Sequence, residues 1–291
     1  MKRILEVYDK HYKKLMIIPF ALLILAFLVI GFTYYSTGDF VNKGVSLKGG
    51  ATVTIYQPLN ALDLENYLKE QFPQADISVR SLTSAGQVIA VAVDSDAQEN
   101  QEIKALTTTI EAKLGLSNED YDVEVMGSSL GNSFFKQTIY ALLIAFLLMG
   151  IVVFITFRTF APSLAVMLAA FSDIVVTLAI FNLTGMKLGT AGIAAFLMLI
   201  GYSVDTDMLL STRVIKRTEG TLMERILGAV KTGMIMTCTT LVAVIVGLIF
   251  VKSEVIKQIM FILLIGLLVD MVMTWIQNVG LLRLYLEKKK K

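Results

Sequence analysis

Residues 15–34 read Leu-Met-Ile-Ile-Pro-Phe-Ala-Leu-Leu-Ile-Leu-Ala-Phe-Leu-Val-Ile-Gly-Phe-Thr-Tyr, without a single charge. An uninterrupted apolar run of about 18 or more residues is long enough, as a helix, to cross a hydrocarbon layer about 30 Å thick. The run continues through Phe32, Tyr34 and Tyr35 instead of ending in a small-residue cleavage site, so it reads as a retained transmembrane helix. Outward from it, five comparable runs crowd the second half of the chain, near 138–157, 162–182, 188–210, 233–252 and 256–282. Composition agrees. Hydrophobic residues make up 55% of the 291 and charged ones 17%, against about 45–50% and about 25% in soluble domains. The fold class expected is a polytopic α-helical membrane protein with six transmembrane helices.

The same reading divides the chain into an N-terminus at 1–14, helix 1 at 15–34, a polar stretch at 35–136, helices 2–6 within 137–282 and a basic tail at 283–291. Six spans put both termini, the 158–161 turn and the 213–232 loop on one side. That side holds 16 Lys and Arg against 5 Asp and Glu, whereas the other holds 10 against 15. The asymmetry places both termini in the cytoplasm, in the cell membrane, and the polar stretch outside. The basic ends suit anionic lipid headgroups, which makes membrane lipids a sufficient partner for Lys288–Lys291 and leaves no need for nucleic acid.

Only residues 35–136 can fold in water. Ala51–Gln57 alternates as a strand and stops at Pro58, and Ala61–Phe72 has helical spacing. Asp76–Leu82 and Gln87–Val93 read as a hairpin around Ser84-Ala85-Gly86; Glu99–Leu114 is a second helix closed by Gly115, and Tyr121–Met126 a last strand. A β-α-β-β-α-β order of this kind is the α+β ferredoxin-like arrangement, which by itself says little about activity. Asp94 with Asp96, and Glu119 with Asp120, are expected as turn and cap residues rather than metal ligands. The glycine-flanked edges could receive an extended peptide by strand addition.

Four acids interrupt the apolar spans: Asp173, Asp205, Asp207 and Asp270. Each ionised carboxylate at mid-membrane costs roughly 2.5–3.5 kcal/mol on insertion scales, so such residues face a partner or a water-filled path. Asp173, with Thr177 one turn on, and Asp270, with Thr274 and Gln277 on one stripe, fall near the midplane. For the three neutral residues, hydrogen bonding between helices is the expected role. In Gly201-Tyr202-Ser203-Val204-Asp205-Thr206-Asp207, Gly201 shares a face with Asp205 and lets a neighbouring backbone approach that carboxylate, while Asp207 points elsewhere. A helix end at which both acids simply meet water remains open, more so for Asp207. Buried acids that exchange protons suggest proton coupling, since a charge crossing the membrane releases about 2.3 kcal/mol per 100 mV. Thr221-Leu-Met-Glu224 is a capping-box pattern, and the helix it opens within 213–232 is expected to lie as an amphipathic segment on the inner membrane surface.

Other chemistry is excluded by count. The lone Cys238 precludes an internal disulfide or multi-cysteine metal site, and the lone His11 a histidine metal cluster. No Gly-x-x-x-x-Gly-Lys loop is present, so the chain is not an ATP-driven motor. No cofactor, metal site or enzymatic activity is expected.

Taken together, the motifs resemble the SecD/SecF family of protein-export membrane subunits, related to resistance-nodulation-division (RND) transporters, and within it the archaeal type of SecF. Gly44-Val-Ser-Leu-Lys-Gly49-Gly50 is similar to the glycine-ended motif that opens the outside domain. Ser172-Asp173 is similar to a His-Asp pair, with serine in place of histidine. Gly201-Tyr202-Ser203 matches the fourth-helix motif, Arg213 the arginine that ends it, and Asp205-Thr206 falls where an Asn-Asp pair is usual. Lys231-Thr232 and Thr239-Thr240-Leu241 resemble the elements that open the fifth helix, with spacing that differs by one residue. The resemblance implies an RND-like half that pairs with SecD and draws on the proton gradient to help secreted polypeptides emerge from a SecY-type channel. Asp173, Asp205, Asp207 and Asp270 are then the proton-coupling candidates, with Gly201, Tyr202, Ser203, Arg213, Thr177 and Gln277 as supporting residues. Two other readings stay open, a passive scaffold that stabilises SecD and an RND-like proton-coupled exporter of small molecules. An intramembrane aspartyl protease fits less well, because its Gly-x-Gly-Asp is replaced by Ser-Val-Asp before Asp205.

Overall fold

A computed structural model describes residue 8 and residues 11–84, 87–117, 120–251 and 253–289. After a short helical turn at Tyr12–Leu15, the elements run α1 (Ile17–Thr37), α2 (Val45–Lys48), β1 (Gly50–Ile55), α3 (Ala61–Gln71), β2 (Ser78–Ser84), β3 (Gln87–Ser95), α4 (Asn100–Leu114) and β4 (Tyr121–Met126). They continue with α5 (Ser128–Phe157), α6 (Phe160–Leu183), α7 (Thr190–Ser211), α8 (Leu222–Phe250), α9 (Glu254–Val272) and α10 (Val279–Lys289). A π-helical segment at Thr212–Lys216 prolongs α7, and another at Met273–Asn278 joins α9 to α10. Six of the described helical stretches are long and apolar enough to cross a membrane.

Local chemistry sets the helix ends. Pro19 sits in the first turn of α1, where its missing N–H breaks no helical bond, and Gly38 ends the helix at φ 77°. Capping boxes open α4 (Glu99 with Glu102) and α8 (Thr221 with Glu224), and the Asn60 side chain accepts from the Leu62 N–H at the start of α3.

The expected amphipathic segment at 213–232 is not a separate element. Helix α7 winds on through Lys216, and α8 runs unbroken from Leu222 to Phe250, because nothing after the capping box breaks it. Its apolar residues Ile226 and Ala229 pack on Leu210, Val214, Val279 and Leu282, against protein rather than flat on lipid. The second span likewise begins nearly three turns of helix before the apolar run near 138, at Ser128 inside the polar stretch, where the sequence is too polar to be read as membrane.

The polar stretch forms a four-stranded antiparallel sheet in the order β2-β3-β1-β4, with β1 in register with β3 (Val53 opposite Val93) and with β4 (Val53 opposite Val123). Helices α3 and α4 cover one face, closing a core of Val53, Ile55, Leu64, Leu68, Val91, Val93, Leu106 and Ile110. Asp94 is no turn residue: it is buried near the end of β3, paired with Thr52 of β1 and Ser78 of β2, and accepts from Arg80 Nε at 3.0 Å and from the Thr52 hydroxyl at 2.8 Å. Asp120 does cap a turn, accepting from the Ser117 N–H and hydroxyl, while Ala85, Gly86 and Glu119 lie outside the described residues.

A clasp of residues 40–50 ties this domain to the bundle. Val41 and Leu47 are fully buried among Phe135, Phe181, Leu188, Ile193 and Ile262. The Gly44 N–H donates to Leu188 O (2.8 Å), the Leu188 N–H to Asn42 O (2.6 Å) and the Thr190 N–H to the Ser46 hydroxyl (3.2 Å). Gly49, at φ +92°, is obligatory here, since a Cβ would sit 2.5 Å from Ser128 Cα. Lys48 bonds Asp76 at 2.9 Å, and that bond, with the positive charge of Lys187, holds the Asp76 carboxyl below the usual carboxylate range.

Candidate functional site

The third, fourth and sixth spans are the most buried of the six, and their shared interior collects the polar side chains. On α6, small residues such as Ala165, Ala169 and Ala170 bring neighbours close to Ser172 and Asp173. On α9, Gly266 receives the Leu199 side chain of α7, where a Cβ would come within 2.5 Å of it. One inward stripe of α7, spaced by three and four residues, carries Leu199, Ser203, Thr206, Asp207, Leu210 and Ser211.

Three carboxyl groups meet in this interior. Asp173 and Asp207 are fully buried and Asp270 is 1% exposed. The Ser203 hydroxyl donates to Asp173 Oδ2 at 2.5 Å, and the carboxyls of Asp173 and Asp270 lie within hydrogen-bonding reach of each other. Asp270 accepts from the Thr206 hydroxyl (3.1 Å) across the helix interface and from the Thr274 hydroxyl (2.9 Å) on its own side. Asn278 Nδ2 donates to Asp207 Oδ1 at 2.7 Å, and Gln277 Nε2 to the Ser172 hydroxyl at 3.1 Å. Among the described residues no lysine or arginine pairs with the three acids. Asp173 Oδ1, Asp207 Oδ2, Gln277 Oε1, Asn278 Oδ1 and the Thr177 hydroxyl are buried with no hydrogen-bond partner among the described residues.

The π-helical turn explains how consecutive residues 277 and 278 both point inward. In an α-helix neighbours diverge by about 100°; the wider wind at Met273–Asn278 buries Thr274, Gln277 and Asn278 together. Gln277 bridges helices as expected. Thr274 donates to Asp270 on its own helix and also stands within hydrogen-bonding reach of Asp207 on α7, and the Thr177 hydroxyl, one turn from Asp173, has no partner among the described residues.

The fourth-helix acids exchange the expected roles. Asp207 joins the cluster, and Asp205 is exposed on the outer face of α7 with Gly201 and Tyr202. The close approach expected at Gly201 does not occur within the chain, since nothing lies within 4 Å of where its Cβ would be. Helical geometry fixed the opposition of 205 and 207 but not which faced inward; the apolar stripe through Leu199, Ser203 and Leu210 is the signal that decides it. Asn278, not singled out in the sequence, stood at i+8 on the Asp270 stripe. Arg213 lies away from the acids and donates from Nη2 to the Thr232 hydroxyl at 2.9 Å, so two separate motif positions meet.

Comparison with known proteins agrees with this architecture. The family model described as Protein export membrane protein SecD/SecF, C-terminal, matches residues 106–288. The protein-export membrane protein SecF of Methanolacinia petrolearia is 41% identical over 280 residues, covering 95% of this chain and 94% of that one. The SecF of Methanothermobacter thermautotrophicus is 39% identical, covering 96% and 94%, and that of Pyrococcus furiosus 36%, covering 96% and 92%. Among solved structures, SecDF of Thermus thermophilus, a translocon-associated membrane protein, superposes with a TM-score of 0.76 at 18% identity over 96% of this chain. SecDF in a super-membrane-facing form gives 0.62 at 20% identity over 94%. This chain spans 38% of the length of each SecDF chain. The chain is a multi-pass membrane protein that belongs to the SecF family of protein-export membrane proteins.

Proposed function

We propose that this subunit, paired with SecD, couples proton movement through its buried carboxyl cluster to the export of unfolded polypeptides from a SecY-type channel. The observation that carries the reading is three carboxyl groups on three helices, buried to 1% exposure or less, with no pairing cation among the described residues. Placing a negative charge on all three at once would set like charges side by side in a medium of low polarity. Such a cluster exchanges protons whenever the helices part enough to admit water, and its hydrogen bonds tie that exchange to the fit of α6, α7 and α9.

Orientation follows the Lys and Arg asymmetry: both termini are cytoplasmic and the sheet domain, ferredoxin-like in its strand order, is extracytoplasmic. The outer face of α7, with Gly201, Tyr202 and the exposed Asp205, is where SecD docks. A carboxylate there cannot rest against lipid tails cheaply, and solved SecDF chains carry a second portion of protein beyond the part that this chain matches. The basic ends of the chain sit among anionic lipid headgroups.

A scaffold reading draws on the same hydrogen bonds, because Ser203 with Asp173, Gln277 with Ser172 and Asn278 with Asp207 all join helices. Export into vesicles bearing the SecD complex separates the two. Under proton coupling, Asp173→Asn abolishes the uncoupler-sensitive part of export at unchanged complex abundance. A fall in abundance with no uncoupler sensitivity in wild type supports the scaffold.

A further inference from the structure

The polar interior is not symmetric along the bundle. Toward the sheet domain, the cluster is followed by Phe181, Leu199, Ile262 and Leu263, all fully buried and apolar, and the polar groups there are the Thr177 hydroxyl and, at the far end of α6, Asn182, whose Nδ2 is tied to Phe40 O. Toward the termini, polar atoms continue. Asp207 Oδ2 is unpartnered, Asn278 presents an unpartnered Oδ1 while its Nδ2 holds the other oxygen of Asp207, and the Ser211 hydroxyl, fully buried, is unpartnered one turn farther along α7. Buried polar groups left without partners in a native bundle call for an explanation, and their usual partner is water.

This string ends against an apolar plug of Ala165, Leu210, Val214, Ile226, Ala229, Trp275, Val279 and Leu282. Trp275 is the only tryptophan of the chain and rides on the π-helical turn that also aims Asn278. Its ring lies where a side chain of α8 would be: a Cβ on Gly233 would come within 2.3 Å of Trp275 Cζ2. Its indole Nε1 is buried with no partner among the described residues, and its backbone carbonyl accepts from the Tyr8 hydroxyl of the N-terminal segment. A large ring seated in a glycine notch, on a turn whose hydrogen bonding differs from the helices on either side, is placed to move as a unit.

We propose that Asp207, Asn278 and Ser211 are the route by which protons pass between the carboxyl cluster and the termini-bearing face, and that Trp275, seated in the Gly233 notch, closes it. The proposal rests on the proton-coupling reading above and assigns its path. Asn278 and Ser211 are positioning residues: they order the water that carries the proton and do not ionise. The ionisable groups that face Asp207 are Asp173 from α6 and Asp270 from α9; beyond the plug stand Arg213, Arg225 and Arg283 with Tyr8 and Tyr12.

Passive proton flux through the SecD complex in dye-loaded liposomes tests this. Trp275→Ala and Gly233→Ala, which remove or unseat the ring, raise flux severalfold over wild type, Trp275→Phe does not, and adding Asp207→Asn to either leaky variant returns flux to baseline. Ser211→Ala, which removes the hydroxyl, lowers gradient-driven flux and leaves the thermal unfolding midpoint nearly unchanged. No leak in either ring variant, or a leak that Asp207→Asn does not close, overturns the proposal, and if neither ring variant assembles, unchanged flux in Ser211→Ala overturns it. The two readings fail separately: uncoupler-sensitive export that survives Asp207→Asn sinks the coupling, whereas lost export without the ring-variant leak sinks only the route.

Discussion

Leu47→Ala probes the clasp between the two parts of the molecule. Leu47 is fully buried, with Val41, Phe135, Phe181 and Leu188 in its cluster, and belongs to neither the sheet core nor a membrane helix. Truncating a buried leucine costs about 2.7–5.0 kcal/mol through lost transfer energy and the cavity left behind. The site joins two elements that can settle toward each other, so the lower end of the range applies. At about 1.4 kcal/mol per factor of ten, that loosens the clasp about a hundredfold. Hydrogen exchange reads this directly, because the Gly44, Leu188 and Thr190 amides bond across the join. Their exchange is expected to quicken by that factor, while ladder amides of β1 and β3 keep their protection, since their core is a separate cluster. Unchanged exchange at Gly44 and Leu188 would refute the clasp; equal loosening of the ladder would mean that the two parts fold as one.

Gly49→Ala forces a Cβ to 2.5 Å from Ser128 at φ +92° and lowers the unfolding midpoint, whereas Gly31→Ala, with nothing within 4 Å, does not. Asp207→Asn leaves the midpoint nearly unchanged, because an amide oxygen still accepts from Asn278; Asp207→Leu strands that donor at a cost of about 1–3 kcal/mol, visible in a thermal melt. The Lys48–Asp76 contact depends on pH in a definite direction. The Asp76 value is depressed in the folded protein, so the contact stabilises fully above the unfolded value of 3.8 and is lost as pH falls through the lower folded value. Both side chains are about half exposed, which limits the effect to at most about 1 kcal/mol, and Asp76→Asn should remove the acid-side dependence in exchange at Gly44.

Much of this arrangement was legible in residue order. Length and hydropathy located all six spans, because a run such as 15–34 has one physical use, and strand alternation with turn residues gave the sheet its elements. Helix boundaries were harder. Residues 128–137 and 222–232 are polar enough to read as soluble, yet Gly131 and Phe135 pack on the clasp and Ile226 on the plug, so tertiary contacts extend helices past their apolar windows. Asp94 was misread for a related reason. Its flanking residues signal a turn, but Arg80 and Thr52, distant in sequence, supply the partners that let it stay in the ladder. The exchange between Asp205 and Asp207 shows the limit of periodicity, which gives relative angles and leaves the choice of inward face to the rest of the stripe. The π-helical turn at 273–278 has no sequence signature that sets it apart from an α-helix, and with it went Asn278.

Infrared difference spectroscopy of the SecD complex in liposomes, recorded on imposing a proton gradient, tests most directly whether the buried acids change protonation. The account predicts a protonated-carboxyl band whose intensity follows the gradient and which is lost in Asp207→Asn and Asp173→Asn. A spectrum that shows no carboxyl change in the wild-type complex while export still responds to the gradient would contradict it.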